Sequence, residues 1–179
     1  SIHKPNPKEI EMGGRGSSSG GSGSGAGGGG GAWSAEGKTN AQIIAHTQSV
    51  LMSGAGGGVS MPKLDGSPKQ VAWAESLRSE QIDRASRIGN RGADWGMTAK
   101  DGKIAKGVEG HLRSEIASHS DSRWWIDNRN HIGASVDAGA MDRAFGKNRV
   151  SDFIRSNPRS YSASFWEELG SYGSHKPGK

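Results

Sequence analysis

Four residues in the second half of the chain combine side chains suited to holding a nucleic acid. Arg123, Trp124, Trp125 and Arg129 set two indoles between two guanidinium groups, so rings could stack on bases while cations meet phosphates. The same residues also fit a structural task. One indole would then anchor a core, and Arg123 would pair with Asp127 four residues on. A second basic set, Lys147, Arg149 and Arg155 with Arg159, suits either a phosphate-facing strip or a solvated surface.

Catalytic patterns are sparse. Glu167 and Glu168 are adjacent, and adjacent helical side chains point apart. His111 and His119 are eight residues apart, about 12 Å along a helix, which is too far to share one metal ion. Asp127, Asn128, Asn130 and His131 are side-chain types found in metal-dependent nucleases, but no second histidine stands at a diagnostic distance. Neither a GxSxG elbow nor a phosphate loop of the form GxxxxGK[ST] occurs. The chain has no cysteine, which removes disulfides and thiolate ligands. The sequence therefore predicts no catalytic residue, metal ligand or cofactor. It predicts a binding protein rather than an enzyme.

The elements that must carry these residues are helical. Ser67 is a good N-cap and Pro68 suits the first helical position. Val71, Ala74, Leu77 or Arg78, Ile82, Ala85 and Ile88 then recur at steps of three and four, with Glu80 and Arg84 forming a flanking ion pair and Gly89 as the stop. Trp73 is expected beside this stripe, in contact with the later tryptophan pair. Thr39 to Met52 reads as a short amphipathic helix with His46 on its solvated flank, and it either docks on the main domain or folds on a partner. Ile104, Val108, Leu112 and Ile116 mark a second core helix, weakened by Gly107 and Gly110 at about 1 kcal/mol each. Asp101-Gly102 is a turn signal, so a small β-hairpin is expected over 96–105. Asp121 should cap a helix that Gly133 breaks and Val136 to Phe145 resumes. Further helical turns are expected over 147–155 and 161–169.

Composition divides the chain. Most of its 30 glycines precede Asp65, and the hydrophobic fraction of 31% is low. Residues 1–38 read as a disordered Gly/Ser-rich arm, in which Met12 offers a start and the eleven residues before it an extension. Residues 39–53 are the short helix, 54–66 a linker, 67–170 a mainly α domain and 171–179 a flexible tail. The net charge is +5, and from Ser67 onward 18 Lys and Arg stand against 14 Asp and Glu. That balance is modest, so strong nonspecific affinity for duplex DNA is not implied. No run of apolar residues is long enough to span a bilayer, and the basic-then-apolar layout of a secretory signal is missing.

Three stretches carry a resemblance. GSPKQVAWAESLR from Gly66 and WWIDNR from Trp124 are similar to a pattern in small proteins of phages and bacterial mobile elements, a GSxKQxxWAExxR helix followed by an aromatic-aromatic-Ile-Asp-Asn-Arg motif. MGGRGSSSGG from Met12 resembles the N-termini of phage head-region proteins. The resemblance implies a phage or mobile-element accessory protein in the bacterial host cytoplasm, or one associated with a virion. It assigns no catalytic residue. The expected partner is nucleic acid or, as the alternative, a host or phage protein such as a virion component or a host defence complex.

Overall fold

Apolar residues at steps of three and four require helices, and helices account for every extended element among the described residues. The computed structural model describes residues 33–55, 58–90, 99–161 and Trp166. Helix α1 spans Asn40–Met52, α2 Pro68–Gly89, α3 Ala99–Ala117, α4 Ser122–Asp127, α5 Ile132–Phe145 and α6 Arg149–Ser156, and a 3-10 turn at Arg129–His131 joins α4 to α5. The mainly α class read from the sequence holds. No helix among the described residues is long and apolar enough to cross a membrane.

Helix α3 is the centre of the packing, in contact with α1, α2 and α5. Its Ile104, Val108, Leu112 and Ile116 are fully buried, each contributing about 1.5–3 kcal/mol relative to exposure. The helix begins at Ala99, so residues 99–105 are not the expected hairpin; residues 96–98 lie outside the described residues. Burial of Ile104 and Ala105 extends the helical period backwards through Asp101-Gly102. Asp101, in the first turn, suits the positive end of the helix dipole.

Helix α2 starts as its sequence requires, with Ser67 and Gln70 forming a reciprocal capping box. Two other expectations for α2 change. Gly89 is its last helical residue and not a left-handed stop; Asn90 caps the helix, and a Cβ at Gly89 would overlap the Glu109 carboxylate. Arg84 does not pair with Glu80 but turns inward, where its guanidinium grips both oxygens of Asp137. The hydroxyl of Tyr161 also donates to Asp137, which is fully buried. Burial opposes the charge on Arg84, but Asp137 outweighs it and holds the guanidinium protonated. Leaving either charge alone in this setting would be costly, so α2, α5 and the segment after α6 are tied at one point.

The N-terminal part of the described chain is packed rather than free. Ile43 and Leu51 of α1 are buried against the domain, and Nε2 of His111 lies 2.9 Å from the carbonyl of Val50. Gly107 and Gly110 explain their presence in α3 here, because a Cβ on them would overlap the carbonyls of Leu51 and Gly54. The propensity lost in α3 allows two backbones to approach. Residues 33–38, read as the end of the arm, fold over α1: Trp33 stacks on His46 with ring centres 3.9 Å apart and 5° between planes. His46 is thus half-buried, not solvated, and its pKa is lowered, first by burial and then by the charge of Lys38. The 54–66 stretch, read as a linker, is fixed over its second half. Leu64 is buried, and Asp65 exchanges backbone hydrogen bonds with Ser120 and Ser122 at 2.8 and 3.0 Å.

Candidate nucleic-acid interface

Helix α4 is only six residues long, and its position depends on bonds from elsewhere in the chain. Asp121 caps it by accepting from the Arg123 N–H, as the sequence suggests. The Asp65 bridge then fastens this start beside the start of α2, so the stretches that begin at Gly66 and Trp124 meet in space. Gly66 makes that junction possible: its φ is +146°, and the Ser122 side chain would crowd a Cβ. The helix ends at Asn128, ahead of the expected break at Gly133. The Asn128 amide donates to the Trp124 carbonyl at 2.8 Å, which closes the turn, and Gly133 lies inside α5.

Within this turn the four candidate residues separate. Trp125 is fully buried and its Nε1–H donates to the His119 carbonyl at 2.9 Å, so it is a core anchor and cannot stack on a base. Trp124 is half-buried, with one face on the His119 imidazole at 3.6 Å between ring centres and 12° between planes. It meets Trp125 edge to face at 5.0 Å. Arg123 is exposed, and among the described residues no ion pair joins it to Asp127. Arg129 donates to the Ile126 carbonyl at 2.7 Å, which aims its guanidinium over the ring of Trp73 at 5.5 Å.

Trp73 is the residue the sequence misplaces. It is 48% exposed, the one large hydrophobic side chain exposed among the described residues, and it does not join the later tryptophan pair. Its neighbours on α2 show why. Ala74 and Arg78 take the inward positions, and Arg78 donates to the Pro62 carbonyl at 2.6 Å. At 100° per residue this turns Trp73 outward, with Lys69 one turn earlier on the same exposed face. An indole beneath a guanidinium forms a planar cationic platform.

The second basic set is less available than its sequence suggests. Lys147 pairs with Asp152 at 3.1 Å and Arg155 with Asp142 at 2.8 Å, while Arg149 is exposed at the start of α6. Both pairs are solvent-facing, so they weaken the basic strip without removing it.

On the other side of the α4 turn lies a polar cleft of about 390 Å³. Trp124, Asp127, Asn128 and His131 line it from α4 and the turn after it, Glu115 from the last turn of α3, His119 from the segment that follows α3, and Ser135 and Arg155 from α5 and α6. Glu115 braces this wall. It accepts from His119 Nε2 at 2.7 Å and from Arg143 Nε at 2.7 Å, in a space that the missing side chain of Gly139 leaves open. Burial pushes the Glu115 carboxyl up, but these hydrogen bonds and charges outweigh it and hold the group below its ordinary value. The sequence holds a signal for this cleft that residue typing overlooks. Trp124, Asp127, Asn128 and His131 are spaced i, i+3, i+4 and i+7, the spacing of one helical face, and Glu115 precedes His119 by four. Among the described residues no group of His, Asp and Glu is placed to hold a metal ion.

No protein-family model matches the chain, and neither a curated protein nor a solved structure is detectably similar to it.

Proposed function

We propose that the chain is a binding module for single-stranded nucleic acid, serving as an accessory protein of a phage or mobile element in the bacterial host cytoplasm or on the virion. The observation that carries the binding reading is the exposed Trp73 ring beneath Arg129. A base stacked on such a platform gains about 1–3 kcal/mol and needs no particular sequence. Lys69 on α2 and Arg123 on α4 are exposed and available for phosphate contacts. An exposed ring suits an unpaired base whose face is open, and the modest net charge adds little duplex affinity. The phage setting rests on the resemblance of the two motifs, now adjacent through the Asp65–Asp121 bridge.

The alternative is a protein partner. Its version with α1 as a helix for a partner's groove loses support, because the apolar face of α1 is already covered by α3. Fluorescence anisotropy with labelled single strands and duplexes of equal length, at low and moderate salt, tests the reading. Single strands should bind in the micromolar range, tighter than duplex. With about three phosphates contacted, the logarithm of affinity should fall with that of salt at a slope of roughly −2. No binding at micromolar protein sinks the nucleic-acid reading and leaves the protein partner.

A further inference from the structure

The cleft behind Trp124 contains more chemistry than a strand-binding surface requires. Its charges are partly cancelled from within, Glu115 by Arg143 and Arg155 by Asp142. Asp127 and two imidazoles are then left for a ligand. Glu115 is held as a carboxylate and can only accept, so the proton on the facing nitrogen of His119 belongs to His119 Nε2. A neutral His119 therefore carries its lone pair on Nδ1, and no hydrogen bond occupies that nitrogen among the described residues. A carboxylate fixing the tautomer of an imidazole is the arrangement that prepares a general base. His131 lines the same cleft, half-buried, with no side-chain partner among the described residues. The volume of about 390 Å³ falls within the usual range for small-ligand sites and suits one nucleotide with its phosphate.

We infer that this cleft cuts single-stranded RNA by internal transesterification, with His119 as general base and His131 as general acid. The inference rests on the nucleic-acid reading above, which supplies the strand. His119 Nδ1 takes the proton of a ribose 2′-hydroxyl, and the oxygen attacks the adjacent phosphorus. A new P–O2′ bond forms while the P–O5′ bond breaks, and protonated His131 gives its proton to the departing 5′-oxygen. The products are a 2′,3′-cyclic phosphate and a 5′-hydroxyl. His119 ends protonated and His131 neutral, and exchange with solvent resets both. Nothing is oxidised or reduced, and no co-reactant is consumed.

The full chain incubated with a labelled oligoribonucleotide in EDTA tests this, with binding followed in parallel by anisotropy. Expected are fragments ending in 2′,3′-cyclic phosphate, no cutting of the matching DNA or 2′-O-methyl strand, and a loss of roughly 100-fold or more in His119→Gln and in His131→Ala. His131→Ala guards against misfolding, since among the described residues the His131 imidazole has no hydrogen-bonded partner to lose, and its unfolding midpoint should match wild type. RNA bound but uncut overturns the cleavage while leaving the binding module intact. RNA neither bound nor cut overturns both. Equal cutting by wild type and variants assigns the activity to a contaminant and overturns the inference.

Discussion

The platform at Trp73 and the cleft at Trp124 lie against the same short turn, yet they are built in opposite ways. Arg129 over Trp73 is held by one hydrogen bond to a carbonyl, and the indole beneath it packs on little else. In the cleft four wall residues have a partner behind or beside them: Arg143 behind Glu115, Glu115 behind His119, Trp125 beside Trp124, Ser135 on Asn128 at 3.0 Å. The difference separates two kinds of task. A platform that accepts any base needs exposure and a flat ring, whereas a site that orients one group needs its side chains fixed before the ligand arrives.

Substitutions should divide along the same line. Trp125→Ala removes the fully buried ring that backs the cleft and should cost about 3–5 kcal/mol in denaturant unfolding. A loss below 1 kcal/mol would show that the cleft wall is not braced from behind. Gly107→Ala comes next and should run against helix propensity. Alanine normally gains about 1 kcal/mol over glycine within a helix, but here its methyl would meet the Leu51 carbonyl, so a destabilisation of about 1–3 kcal/mol is expected. A stabilised variant would mean that α1 does not lie on α3. Trp73→Ala, on the platform, should lower stability by only about 0.5–1 kcal/mol, the scale of an exposed cation–π pair.

The smallest effect concerns the two indole–imidazole stacks. Trp124 covers a His119 that faces a carboxylate, whereas Trp33 covers a His46 that faces Lys38. Because the folded pKa of His46 lies below its ordinary 6.5, the unfolded chain takes up the proton first. Stability from this stack is therefore complete above pH 6.5 and is lost as pH falls from there toward the folded pKa. The hydrogen-exchange protection factors of the α1 amides should fall over that window in wild type, and His46→Gln should flatten the response. A profile unchanged by the substitution would remove His46 as its source.

Much of the fold was legible because its signals are local. Ser67–Gln70 caps α2 through contacts three residues apart, and Ile104 to Ile116 buries one face at regular spacing. What was not legible depends on contacts distant in sequence. Arg84 looks like a surface partner for Glu80 until Asp137, 53 residues away, competes for it. Gly107 looks like a weak point until the end of α1 lies against it. Trp73 and Trp125 are both tryptophans near helical stripes. Which of them is buried follows from the placing of Ala74 and Arg78 on one side and the His119 carbonyl on the other. The cleft was written in the Trp124–His131 spacing, but Glu115 and Arg155 reach it only through the packing of α3 and α6.

The most direct test of the central claim is an anisotropy titration of one labelled single strand with wild type and Trp73→Ala under the same salt. The platform account predicts a weakening of at least about fivefold, the low end of one lost base stack, with unfolding stability nearly unchanged. Equal affinity in the two proteins would contradict it and move any nucleic-acid contact away from the Trp73–Arg129 pair.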